Sequence, residues 1–322
     1  MSRCLVIGAN GFIGSYLVDA LAAAGHTVAA FDRFSSGIAS YAAADVRPIV
    51  GDFLNSDDLR KALIGQDFVF HFLSTTSPAI AEDEPTLDIR TNVSQSVELF
   101  RMCVASGVKK VFFASTGGAI YGNQPVDLLS EMSPTLPVSP YAISKLTLEN
   151  YLRYYRVKHG LDYVSLRISN PYGPRQHPQR KQGLIPIALR HIAEEESVTQ
   201  FGSGSMTRDY IFVEDLARMI ALMPGTRSAS QVYNLGSGIG KTVTQVLDTI
   251  REVTQRDFAI REIATPTTYL ERSVLDTSLF TSEYDVGELF TLSEGVRKTW
   301  LAELGARDTA GNQFGKLTQA TP

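Results

Sequence analysis

The sequence predicts an α/β fold, a doubly wound parallel sheet with a smaller C-terminal substrate-binding lobe, and three observations predict it. Short apolar runs alternate with amphipathic helical segments through the first 170 residues, which is how stacked βαβ units around a buried parallel sheet read. The glycine run Gly8-Ala9-Asn10-Gly11-Phe12-Ile13-Gly14 joins the first apolar run to the first helical segment. Between Pro171 and Ser205 the periodicity weakens while Pro, Gly, Gln and Arg accumulate, the mark of a change of lobe.

In chain order, the apolar runs at 4–7, 27–31, 46–50, 68–72, 111–114 and 163–168 are the expected strands. Helices are expected at 12–24, 56–63, 85–106 and 141–159. Pro85 opens the third of these, where a missing N–H costs nothing, and Gly25, Gly107 and Gly160 stand where left-handed helix stops fall. A strand at 232–235 and a helix near 243–253 suggest that the chain returns to the first lobe. The expected division is a dinucleotide-binding domain over 1–170, with 206–258 largely returning to it, a substrate lobe over 171–205 and 259–310, and a loose polar tail over 311–322.

Composition narrows the function. The chain has 322 residues, 44% of them hydrophobic, enough to close a large core in one or two lobes. Thirty basic against 34 acidic side chains leave a net charge of -4, with no footprint for a polyanion, so nucleic acid is not an expected partner. Two cysteines cannot make a disulfide framework, and the histidines show no metal-type pairing with Cys or carboxylates, so no metal is expected. No run approaches the ~20 apolar residues of a membrane span. A reducing, cytoplasmic setting without a membrane partner is the expectation.

Gly8, Gly11 and Gly14 sit between strand and helix, where glycine permits a tight turn, close approach of a pyrophosphate and close helix packing. That context makes the fold Rossmann-type, and Asn10, Phe12 and Ile13 complete the phosphate-binding loop. Asp32 ends the second strand 18 residues after Gly14, in position to accept from both hydroxyls of a ribose and to repel a 2′-phosphate. NAD is therefore expected over NADP, although Arg33 beside it offers a guanidinium to such a phosphate. Gly51-Asp52-Phe53 ends the third strand, where Asp52 can meet an adenine amino group and Phe53 can flank the base; an ordinary Gly-Asp turn is the other reading.

At the chemical end, Tyr141-Ala-Ile-Ser-Lys145 puts a phenol and an ammonium one helical turn apart. A neighbouring cation stabilises phenolate and lowers the tyrosine pKa toward neutrality, as a general base acting on an alcohol requires. The same spacing recurs in Tyr154 and Lys158, about 20 Å farther along the helix. Ser139-Pro140 open the helix just before Tyr141, beside the strand ends, so Tyr141 and Lys145 are the catalytic candidates and the second pair a surface feature. The fifth strand runs into Ser115-Thr116-Gly117-Gly118, bringing hydroxyls to the carboxyl edge of the sheet, where doubly wound folds bind ligands.

Together, GANGFIG, Asp32, Asp52, STGGAIYG, YAISK, LRISNPYGPRQ and RDYIFVEDLA resemble the extended short-chain dehydrogenase/reductase family, specifically its nucleotide-sugar branch typified by UDP-glucose 4-epimerase, over about residues 3–300. The resemblance implies a catalytic triad of Ser or Thr, Tyr and Lys. Thr116 lies 25 positions before Tyr141 and matches best, with Ser115 left open by the doubled glycine. It also implies cofactor contacts from Leu73, Ser74, Thr75 and Asn92. Substrate contacts are implied for Thr76, Thr116, Gly117, Asn170, Gln182, Arg208 and Arg272, and the helices at 85–106 and 141–159 are implied to pair across a homodimer. Three departures matter. Dehydratase and decarboxylase relatives carry acidic residues just after the threonine, where this chain has Gly117-Gly118-Ala119. The segment Leu73-Ser74-Thr75-Thr76 makes the wall near the nicotinamide more hydroxylated than usual. Pro266 and Tyr269 replace the Arg and Asp that hold the diphosphate and the ribose of a uridine nucleotide, with Arg272 as a substitute.

The expected function is NAD-dependent inversion at C4 of a nucleotide-linked hexose through a transient 4-keto sugar. The alternatives are an NAD(P)H-dependent reductase of nucleotide 4-keto sugars and a non-catalytic NAD-sensing protein.

Overall fold

The computed structural model describes residues 1–176, 183–266 and 268–317. Its strands are β1 Arg3–Ile7, β2 Thr27–Asp32, β3 Val46–Val50, β4 Phe68–His71, β5 Lys110–Thr116, β6 Asp162–Ile168, β7 Asn170–Tyr172, β8 Val198–Phe201, β9 Thr207–Phe212, β10 Val232–Leu235, β11 Gly240–Thr242, β12 Ile260–Ile263 and β13 Arg272–Ser273. Its helices are α1 Phe12–Ala23, α2 Ser56–Leu63, α3 Pro78–Asp83, α4 Pro85–Asp88, α5 Gln95–Ala105, α6 Pro140–His159, α7 Leu184–Ala193, α8 Val213–Ala221, α9 Val243–Thr254, α10 Ser278–Glu283 and α11 Leu292–Leu317.

Seven strands form one sheet in the order β10-β6-β5-β4-β1-β2-β3, every pairing parallel. Side chains alternate across it as the pleat requires. Cys4 and Val6 join one core with Leu17 and Leu21 of α1 and Leu216 and Ile220 of α8. Leu5 and Ile7 join the opposite core with Leu59 of α2, Phe100 of α5 and Leu152 of α6. Both faces are thus covered, which is why these strands read as unbroken apolar runs. Pro48 is tolerated because β3 is an edge strand, paired on one side only.

The expected strands and helices of the first lobe are found within two residues of their predicted ends, with one difference of kind. The helix expected over 85–106 is α4 followed by a π-turn, Ile89–Ser94, and then α5. The extra residue in that turn cannot be read from periodicity, because it re-aims a side chain without ending the helix.

A second lobe packs α7, α9 and α11 around Tyr172 and Phe212. The strand expected at 232–235 does return to the main sheet as β10, but the helix after it does not: Val246, Leu247 and Ile250 of α9 are buried in the second lobe's core. Amphipathicity announced a buried face without saying which core would take it. The tail differs too. Val296 and Trp300 anchor α11 in this core, and the helical backbone runs on to Leu317, into the segment expected to be loose. Propagation adds one hydrogen bond per residue once a helix is nucleated, so polar composition alone does not end it. Across the lobe boundary, β9 pairs with β7, β11 and β13, and the buried Asp209 carboxylate accepts from Ser237 N, Gly238 N and Leu275 N.

The closest approach in the first lobe gives a direct check. A Cβ on Gly14 would stand 2.0 Å from Gly8 O, so helix and loop must separate to admit it. Gly14→Ala is expected to lower stability by about 1–3 kcal/mol in urea unfolding; an unchanged midpoint would contradict this packing.

Candidate active site

The glycine loop is built from backbone. Gly8 has φ +90, and its Cβ would lie 2.8 Å from Leu73 N, so the loop turns flush against the chain leaving β4. Gly11 caps α1 without a side-chain bond, leaving the first N–H groups of the helix to a phosphate. Phe12 and Ile13 form the first turn, Phe12 edge-on to Tyr16 and Ile13 against the core. Asp32 Oδ2 accepts from Asn10 N at 3.0 Å and Oδ1 from Arg33 N at 2.7 Å, which brings the carboxylate to the loop. The Asn10 side chain is spent on the protein itself, bonding Ile38 O and Ser40 N. Arg33 is exposed to solvent. A cradle that a single Cβ would fill, with a carboxylate at its rim, fits a dinucleotide.

The third-strand turn corrects one expectation. Asp52 Oδ1 accepts from Leu54 N, an ordinary turn bond, and the Phe53 ring is 2% exposed, stacked on His71 at 5.2 Å. That ring lies in the core and offers no face to a base; an aromatic after a turn looks the same in sequence whichever way it folds.

At the chemical end, Ser139 Oγ caps α6 and Pro140 opens it, so Tyr141 and Lys145 begin the helix at the carboxyl edge of β5. Lys145 is 8% exposed; its Nζ donates to Ala114 O at 2.7 Å and lies 5.6 Å from the centre of the Tyr141 ring. Burial pulls its pKa down to about 8, against the opposing charges of Asp88 and Glu149. The expected lowering of the tyrosine is not found. Burial, with Asp88 adding to it, pushes the Tyr141 phenol up to about 12. The ammonium lies over the ring and is bonded to a carbonyl, not to Oη. The second pair, Lys158 Nζ and Tyr154 Oη, meets at 2.8 Å on the exposed face of the helix.

Ser115 and Thr116 leave β5 on opposite faces. Ser115 Oγ donates to Glu149 Oε1 at 2.5 Å, inside a buried fork in which Arg167 Nε and Nη2 donate to Glu149. Arg167 Nη1 also donates to Tyr121 Oη, tying the 117–122 turn to the same ion pair. No hydrogen bond reaches the Thr116 hydroxyl among the described residues, so Thr116 is the hydroxyl free for a ligand. The Glu149–Arg167 pair was missed in the sequence; its signal was a glutamate on the apolar side of α6 and an arginine inside a strand.

The hydroxylated wall turns inward. Ser74 Oγ donates to Thr76 O, and Thr75 N and Oγ1 donate to Asn92 Oδ1. Thr76 Oγ1 donates to the buried Asp88 and accepts from Asn92 Nδ2, which corrects its expected place among the sugar contacts. Its hydroxyl is consumed by Asp88, which in the sequence is one polar position in a long helix and carries no signal of its own.

On the substrate side, Asn170 Nδ2 donates to Asp209 O, and Gly118 lies beside the Asn170 amide. A Cβ on Gly117 would stand 2.5 Å from Leu275, so this turn admits nothing larger. Arg208 donates to Thr207 O and Leu270 O but has no carboxylate partner among the described residues, and burial lowers its pKa. A desolvated guanidinium without a counter-ion is a site for an anion. Arg272 turns to Asp127, and Tyr269 stands 5.1 Å from the Phe201 ring. Gln182 lies outside the described residues. Among the described residues there is no cluster of His, Cys, Asp and Glu that could hold a metal, and no helix long and apolar enough to cross a membrane.

Known proteins resemble this chain over most of its length. Residues 4–236 match the family model described as the NAD dependent epimerase/dehydratase family. The UDP-glucose 4-epimerase of Mycolicibacterium smegmatis is 36% identical over 253 residues, 77% of this chain and 80% of that protein. Among solved structures, the UDP-glucose 4-epimerase of Thermotoga maritima with UDP-glucose has a TM-score of 0.88 at 33% identity, covering 95% of this chain and 99% of that one. The Thermus thermophilus UDP-glucose 4-epimerase in complex with NAD has a TM-score of 0.87 at 33% identity, covering 94% and 99%. The chain belongs to the NAD-dependent epimerase/dehydratase family, the nucleotide-sugar branch of the extended short-chain dehydrogenases/reductases, and is an enzyme of that family that uses NAD.

Proposed function

We propose that the protein inverts C4 of a nucleotide-linked hexose of the UDP-glucose or UDP-GlcNAc type through a transient 4-keto sugar. The observation that carries this reading is the arrangement of Tyr141, Lys145 and the free Thr116 hydroxyl at the carboxyl edge of β5, with Gly117-Gly118 where a dehydratase needs an acid. NAD, which the glycine loop over 8–14 and Asp32 would hold, would supply the acceptor and then the donor of the C4 hydride. Tyr141 takes the proton of the C4 hydroxyl and gives it back, and Thr116 orients that hydroxyl. Lys145, fixed by Ala114 O, holds a ribose and contributes the positive charge that favours phenolate once Tyr141 is covered. Arg208 anchors the diphosphate, leaving the hexosyl group room to turn between the two half-reactions. The tyrosine's high proton affinity in the free protein accords with this: the phenol stays protonated until charge arrives with the ligands.

The exposed apolar side chains Ile143, Tyr151, Tyr154 and Val157 along α6, beside Leu87 and Ile89, support a homodimer through this helix pair. A cytoplasmic enzyme accords with the composition.

Tyr141→Phe is expected to cut turnover of a UDP-hexose by about 10²-fold or more with NAD binding retained; near-normal turnover would remove Tyr141 from the reaction. Wild-type enzyme should interconvert the epimers with no net NADH consumed, whereas stoichiometric oxidation of NADH would identify a 4-keto sugar reductase. Thr116→Val should lower kcat severely, while Ser115→Ala should leave kcat near wild type and lower stability by about 1 kcal/mol. The reverse ranking would assign the catalytic role to Ser115.

A further inference from the structure

The mechanism leaves one buried charge unused. Asp88 ends α4 and is 1% exposed. The π-turn that follows brings Asn92 back over it, so Asp88 Oδ1 accepts from Thr76 Oγ1 and from Asn92 Nδ2 at 2.8 Å. Its Oδ2 is buried and has no hydrogen-bond partner among the described residues. Asp88 lines one small cavity with Tyr141, Ser144 and Lys145. It makes no salt bridge among the described residues, and neither does Lys145. Two opposite charges therefore face one desolvated space without touching, where attraction through the low dielectric persists and neither is screened by water.

The other groups facing that space do not replace Asp88. His71, from β4, is held neutral: burial, and then the charge of Lys145, lowers its pKa to about 3, and its Nε2 pairs with Ser96. Glu149, farther along α6 and outside that lining, is committed to Arg167 of β6 and Ser115 of β5. Asn92, Ser96 and Ser144 are neutral. Asp88 is left as the unpaired anion opposite the catalytic helix among the described residues.

We propose that Asp88 is a positioning residue for the Tyr141–Lys145 pair: its buried charge, aimed by Thr76 and Asn92, keeps Lys145 an ammonium and Tyr141 a phenol until ligands arrive. The proposal rests on the epimerase reading for its kinetic consequence but not for its electrostatic one. The direction of effect follows from charge alone. Removing a negative charge makes protonation less favourable at both neighbours, so both pKa values fall, and the two limbs of the pH profile, which belong to the coupled pair, move to lower pH together.

The test is Asp88→Asn. The asparagine keeps an acceptor for Thr76 and Asn92 and puts its amide where Oδ2 has no partner to lose. Both limbs of the pH dependence of kcat/KM for a UDP-hexose are expected to move down by about one unit, with up to tenfold relative loss at the alkaline end. In parallel, the Lys145 Nζ titration is followed by NMR in isotope-labelled protein without sugar, where the same downward shift is expected. Loss of activity with both limbs in place, or an unmoved Lys145 titration, would make Asp88 merely structural and overturn the proposal. If the asparagine variant does not fold by circular dichroism, Asp88→Ser also removes the charge and is expected to show the same two downward shifts. A wild-type protein that epimerises nothing defeats the epimerase reading alone, because the lysine titration needs no turnover.

Discussion

The burial of one ammonium organises this site. Lys145 cannot be withdrawn from water at low cost unless its charge is met by fixed partners, and the structure supplies Ala114 O at the end of β5, the ring of Phe113 at 4.8 Å, and the Asp88 carboxylate on the same small cavity. Those partners define where α6 must begin relative to the sheet. Tyr141, one turn earlier, is then held at the carboxyl edge, and the Thr116 hydroxyl is left without a hydrogen bond among the described residues while Ser115 is drawn back to Glu149.

The ion pair of Glu149 and Arg167 extends the constraint to the far edge of the main sheet. Arg167 reaches Tyr121, Tyr121 donates to Asn234 on β10, and Asn234 Nδ2 bonds the carbonyls of Leu129 and Asp276. Helix α6, a glycine-rich turn and the far edge of the sheet thus share one polar network within an otherwise apolar interior. Half-satisfied, such a network would be worse than none; here the chain from Ser115 to Asn234 is continuous, and it joins the end of β5 to the edge strand β10.

Much of this was legible in the sequence because the signals were local. GANGFIG between a strand and a helix, Asp32 at the next strand end, and Tyr141 with Lys145 behind Ser139-Pro140 each depend on a few residues of chain and on backbone geometry that spacing encodes. The differences are of another kind. The sequence suggests the ligand side for Phe53 and Thr76 and the first lobe for α9, and each packs elsewhere because its partner, His71, Asp88 or α7 and α11, is distant in sequence.

The sequence by itself determined the alternation of strands and helices in the first lobe, the glycine loop after β1 and the phenol–lysine pair that opens α6, since periodicity, glycine placement and capping act over single turns. Tertiary structure alone decided which of Ser115 and Thr116 is free, which way the tyrosine's proton affinity moves, and that Asp88 stands opposite Lys145. Hydrogen-bond choice and desolvation depend on what lies across the fold, and no spacing along the chain records the dielectric a side chain will meet.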